Sequence, residues 1–237
     1  MGAIGRRGAG VTVEPLYIAN TAVCLGCGAA LLLAWRRDHE QAFLRMVGLA
    51  FLLHALLSPA YALMLASQPP LDRLALGVLL LVAMLSAGLV LMGVAYLAER
   101  PLSRREQRIG LAVLLAGALV LLPLGVPGAL VVPALLNVVL GVAALAWLWR
   151  RGSAELLSGV LLVLLALNAL QVFVLGPAAT ERQLVLAMLL RLGVALALLH
   201  AAGRRSAQAS QIARERFERL TEHSHQGVAV IRGEQML

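Results

Sequence analysis

Seven long apolar runs constrain this chain more than any other feature. They lie at roughly 15–35, 42–66, 71–98, 107–124, 127–149, 153–175 and 182–202. A helix crosses the hydrocarbon of a bilayer in about 20 residues, fewer or more with tilt. In hydrocarbon every backbone N–H and C=O must be satisfied inside the protein, and runs of this length satisfy them as helices. The expected fold is therefore all-α, an integral membrane bundle of seven transmembrane helices. The composition agrees: 61% of the 237 residues are hydrophobic, against about half in a soluble domain. Pro123, Gly125, Pro127 and Gly128 predict a tight hairpin between the fourth and fifth runs. The alternative, one long kinked helix, would reduce the spans to six.

The net charge of +8 is carried by arginine alone, since the chain has no lysine. Without a lysine amine there is no Schiff base, so a retinal protein is excluded. The arginines cluster at the ends of the apolar runs, which speaks for membrane topology and against a nucleic-acid-binding face. Arg36, Arg37 and Arg45 follow run one, Arg100, Arg104, Arg105 and Arg108 follow run three, and Arg150 and Arg151 follow run five. Arg204, Arg205, Arg214, Arg216, Arg219 and Arg232 follow run seven, while the other side holds only Arg6, Arg7, Arg73 and Arg182. The positive-inside rule then predicts an outer N-terminus and a cytoplasmic C-terminus. Trp35, Trp147 and Trp149 fall at the same predicted cytoplasmic boundary, as interfacial aromatics do. The first run is too long for a signal-peptide core and reads as a true span. Cys24 and Cys27 have CxxC spacing but no second thiol pair or nearby histidine, so they read as small buried side chains.

Arg191 stands near the middle of the seventh run. An arginine at that depth costs roughly 2.5–3.5 kcal/mol on insertion scales. The acidic residues lie outside the runs or at their ends, so no buried carboxylate is available to pair with it. Either neutral polar groups and helix dipoles solvate it, or an anionic or carbonyl-bearing ligand does. His54, Ser58 and Tyr61 share a face of the second run at i, i+4, i+7, and Asn168 and Gln171 share one of the sixth at i, i+3. Asn137 lies midway along the fifth run, and Asn20 and Thr21 in the outer half of the first. Polar groups in hydrocarbon face the bundle interior, so the expected ligand site comprises Arg191, His54, Ser58, Tyr61, Asn137, Asn168 and Gln171. Arg191 would supply a charge-assisted hydrogen bond to a carboxylate, phosphate or quinone carbonyl. The bland alternative is that the amides and serine only tie helices together. His54 and His200 are the two histidines within the runs, which admits haem b as an alternative cofactor. Their levels differ by roughly 8–15 Å at 1.5 Å per residue, a strained pairing.

No HExxH, GxSxG, intramembrane aspartate pair or glycine-rich phosphate loop is present, so no enzyme activity is expected of these residues. A carrier for an anionic lipid-like substrate remains an alternative that uses the same arginine.

Residues 203–222 are polar, with Ala213, Phe217 and Leu220 at a 4-then-3 spacing that suits a short two-helix seam. From Arg214 to Leu237 the sequence carries Phe217, Leu220 and Glu222 in an F-x-x-L-x-E helix. Gln226 and Gly227 follow, then Val228, Ala229, Val230 and Ile231 as a first strand, with a turn at Arg232, Gly233 and Glu234. This stretch resembles the start of a PAS domain, and with the membrane runs before it the chain resembles the front end of a bacterial membrane sensor. The resemblance implies a piece of a longer inner-membrane protein with a histidine kinase or GGDEF/EAL cyclic-di-GMP output, working as a homodimer. The expected domains are a tail at 1–14, a sensor region at 15–202, a signalling helix at 203–222 and the opening of a PAS domain at 223–237. The expected function is reception of a hydrophobic or anionic ligand in the outer half of the membrane region, relayed through the last helix.

Overall fold

The computed structural model describes residues 14–66, 71–121, 123, 125–175 and 180–234. The expected tail at 1–14 falls almost wholly outside them. Among the described residues there are eight helices and no strand: α1 (Glu14–Arg37), α2 (Ala42–His54), α3 (Leu57–Ala66), α4 (Leu71–Leu97), α5 (Arg104–Leu121), α6 (Gly125–Leu148), α7 (Ser153–Leu175) and α8 (Thr180–Glu234). Six of the helical stretches are long and apolar enough to cross a membrane. Large apolar side chains such as Ile18, Val113, Val139, Val174 and Leu196 are exposed, a surface that only lipid tails would leave unpenalised. The all-α membrane-type architecture thus agrees with the sequence. The chain divides into two compact units, Met1–Leu199 and His200–Leu237.

Two elements depart from expectation. The second run is not one helix but two, α2 and α3, interrupted at Ala55 and Leu56. The cause is Pro59, four residues on from Ala55. Proline has no N–H to give the Ala55 carbonyl, and its ring crowds that carbonyl. Thr21 Oγ1 on α1 comes to 3.5 Å from the freed Ala55 oxygen, the limit of a hydrogen bond. The second departure is at 228–231. These residues continue α8 as helix, where a strand was expected. A strand needs a neighbour to pair with and none exists among the described residues, whereas a helix closes its hydrogen bonds locally.

Helix α4 is the packing centre of the first unit, touching α2, α3, α5 and α6, while α1 lies on α2 and α6 on α7. Glycines set how closely these helices approach. A Cβ on Gly28 of α1 would fall 2.9 Å from the backbone oxygen of Gly48 on α2, and one on Gly93 of α4 would fall 2.5 Å from Val47 Cγ2. Small residues at such crossings let membrane helices pack backbone to backbone. That closeness brings short polar side chains of neighbouring helices within bonding range.

Helix α5 runs antiparallel to α4. Leu114 meets α4 at Gly88, and further along α5 Ala118 and Leu121 join Leu76, Leu79 and Leu80 in one buried cluster. Its first turn is a capping box: Glu106 Oε2 accepts from the Ser103 N–H at 2.7 Å, and the Glu106 N–H donates to Ser103 Oγ at 3.3 Å. Those bonds hold the Glu106 carboxyl below its usual titration range. Charged residues in that turn keep α5 out of the set of six apolar helices. At the other end of α4 the chain closes a Schellman turn, with Glu99 at φ 54 and the Arg100 N–H donating to the Ala95 carbonyl at 2.8 Å. Glu99 then pairs with Arg151 at 2.5 Å, which puts the α4–α5 and α6–α7 turns at the same end of the unit.

Candidate functional site

Arg191, at 7% exposure, is buried rather than drawn out to solvent. It lies on α8 within the first unit and bonds to side chains of two other helices. One terminal nitrogen donates to Asn20 Oδ1 on α1. The other lies 2.6 Å from His54 Nε2, on the last residue of α2. Two further hydrogen bonds extend the network. Asn20 Nδ2 donates to Ser58 Oγ on α3 at 2.9 Å, and His54 Nδ1 lies 3.3 Å from Ser86 Oγ on α4. Five helices therefore meet through five side chains.

The chemistry of the donors fixes the protons. A guanidinium only donates, so His54 Nε2 must accept. The ring is then neutral with its proton on Nδ1, from which it donates to Ser86 Oγ. A charged imidazolium would turn an N–H toward the guanidinium. Among the described residues no carboxylate reaches Arg191, and besides His54 the ionisable groups close enough to interact with it are the buried thiols Cys24 and Cys27. These share the α1 face of Asn20 at i, i+4, i+7. The α2 break contributes as well, because it ends a helix at His54, and the carbonyl end of a helix carries partial negative charge. Of the five guanidinium N–H groups, two find an acceptor among the described residues.

The residues expected at one site separate into two groups. Arg191 and His54 are in direct contact, and Ser58 joins them through Asn20. Tyr61 packs its ring on Tyr17 with centroids 6.0 Å apart. Asn168 is instead engaged on the α7–α8 contact, where its Nδ2 donates to the Gln183 carbonyl at 2.9 Å, and its buried Oδ1 has no partner among the described residues. Asn137 and Gln171 are half-buried and make no hydrogen bond to Arg191. A groove of about 430 Å³ on α8 is lined by Glu181, Arg182, Val185, Leu186 and Leu189, and Arg191 is not part of it.

The haem alternative does not fit these residues. Both ring nitrogens of His54 are engaged inside the protein, and His200 is exposed. No group of three or more metal-binding side chains gathers among the described residues.

Sequence reasoning put Asn20 among the polar residues but not in the site, and did not single out Ser86. The signals were present. Ser86 is the only hydroxyl in the apolar stretch from Leu74 to Ala95. Asn20, Cys24 and Cys27 form the one polarisable stripe of α1.

No known protein family, curated protein or solved structure matches this chain.

Proposed function

We propose that this protein is a membrane signal receptor whose ligand presents a carboxylate, phosphate or carbonyl oxygen to Arg191. The observation that carries this reading is the buried guanidinium, which no carboxylate of the described residues neutralises and only two of whose five N–H groups find an acceptor among the described residues. Helix glue needs no arginine, since neutral amides and hydroxyls serve that purpose. Asn20 and His54 hold the guanidinium in place, and an oxygen-bearing ligand would meet the remaining donors with charge-assisted hydrogen bonds.

In this reading the membrane region has seven spans, with the N-terminus outside and the C-terminus in the cytoplasm of a bacterium bounded by its inner membrane. Support comes from α5, which lies antiparallel along α4, and from the Glu99–Arg151 pair, which groups two arginine-rich turns. Ligand binding would favour one of two arrangements of α8, a shift that requires different affinity for the two. The change would pass along α8 into residues 203–222, whose Ile212, Phe217 and Leu220 are exposed, and on to a PAS-linked output in a homodimer. A carrier for an anionic lipid-like substrate would use the same arginine, and flux in liposomes distinguishes it.

The test is co-purification. Small molecules extracted from the purified protein and from Arg191→Gln are compared by mass spectrometry. The expected result is an acid- or carbonyl-bearing hydrophobic molecule retained by the native chain and lost from the variant. Identical extracts from both would overturn the proposal.

A further inference from the structure

A second basic region lies away from Arg191, where the α4–α5 and α6–α7 turns meet. Arg100, Arg104, Arg105, Arg108, Arg150 and Arg151 converge there against Glu99, Glu106 and Glu155. The carboxylates are already engaged. Glu99 holds Arg151, Glu106 caps α5 through Ser103, and Glu155 has an interaction partner of its own. Arg100, Arg104, Arg105, Arg108 and Arg150 are exposed and make no ion pair among the described residues.

What lies beside these guanidiniums identifies their partner. On α5 Arg104, Arg108, Leu111 and Leu115 form one stripe at i, i+4, i+7, i+11, and Arg105, Ile109 and Val113 form a second at i, i+4, i+8. All seven side chains are exposed. Each stripe therefore has cations at one end and bare hydrocarbon along the rest, the contour of a phospholipid. Trp149, 66% exposed at the end of α6, marks the level of the membrane–water interface. The capping box already takes up N–H groups of the α5 N-terminus, so an anion here would be held by guanidiniums, which grip phosphate in a bidentate fork.

We infer that this face binds anionic phospholipid, with the phosphate at Arg104, Arg105 and Arg108 and an acyl chain along Leu111 and Leu115. The inference needs the helices to lie in a membrane but does not depend on Arg191 or on sensing. The test is native mass spectrometry of the full chain in mild detergent, offered phosphatidylglycerol and phosphatidylcholine of identical acyl chains. Phosphatidylglycerol should be retained in about tenfold preference, from juxtamembrane arginines acting together. The triple variant R104Q/R105Q/R108Q should lose most of that preference. The charge-matched control R214Q/R216Q/R219Q should keep it, and millimolar inorganic phosphate should not displace the lipid. Because the three arginines are exposed, the helical circular dichroism of the triple variant should match the native spectrum. If folding is lost, R104Q and R108Q singly must each lower the preference. Equal retention of the two lipids, an equal loss in the control, displacement by phosphate, or full preference in the folded arginine variants would each overturn the assignment.

Discussion

Arg191 and Arg151 carry the same charge in opposite settings. Arg191 sits in the interior between α1, α2 and α8 and is held by an amide and an imidazole, with no carboxylate. Arg151 sits at an exposed turn and has a carboxylate at 2.5 Å. Intuition assigns the greater stabilisation to the ion pair, but the physics reverses it. A surface pair gains little, with a median of about 0–1 kcal/mol, because water screens both charges. A buried charge makes every hydrogen bond to it expensive to lose, because nothing else can replace the lost acceptor. The polar neighbours of Arg191, not the arginine itself, should therefore be the sensitive positions.

The largest expected effect follows from that asymmetry. His54→Phe or Asn20→Leu leaves the guanidinium buried with one acceptor fewer, and breaking a buried charged contact in this way typically costs about 3–5 kcal/mol. Arg191→Met removes the charge and leaves neutral groups that can bond to one another, so it should be nearly neutral or stabilising. Thermal unfolding in detergent should rank the variants with Arg191→Met at or above the native chain and the two partner variants well below it. The opposite order would mean that the cation itself stabilises the fold, and the receptor reading would lose its reason for an arginine.

Ser86→Ala gives a smaller effect. It removes the acceptor that holds the proton on His54 Nδ1 but leaves the Arg191–His54 contact. Interhelical hydrogen bonds in membranes average about 0.6 kcal/mol, so the loss should be of that order. Histidine ¹⁵N chemical shifts provide a second readout. In the native chain they should report the tautomer protonated at Nδ1, and in Ser86→Ala a mixture.

The two regions also differ in how far the sequence discloses them. Helix placement was legible: the runs at 71–98 and 153–175 correspond to Leu71–Leu97 and Ser153–Leu175. Apolar length in lipid admits little but helix. The break of the second run was not read, although Pro59 was in view, because an averaged hydropathy passes over one residue in twenty. Arg191, His54 and Ser58 were legible as buried polar groups needing partners. Which partner each would find was not, since periodicity places a residue on a face and says nothing of the helix opposite. Asn168 shows the consequence: it shares the chemistry of the site residues but bonds to Gln183 instead. The strand expected at 228–231 was implied by the resemblance to the start of a PAS domain, whereas these residues continue helix α8.

Glu99→Gly has the smallest expected effect and tests the surface half of the comparison. Glu99 holds φ 54 at the position of a Schellman turn that glycine usually occupies. A non-glycine residue in the left-handed region costs roughly 1–2 kcal/mol. Substitution relieves that strain while removing the carboxylate from Arg151. The pair is 63% and 33% exposed, so the interaction lost is within about 1 kcal/mol. The two terms nearly cancel, and thermal unfolding should stay within a degree or two of the native midpoint. Glu99→Gln separates them, because it keeps the strained backbone and discards only the charge, and it should lie at or slightly below the native chain and below Glu99→Gly. Should Glu99→Gly unfold far below both, the ion pair would be fastening the two turns more strongly than an exposed contact can. The contrast between the buried and the surface arginine would then fail at its surface end.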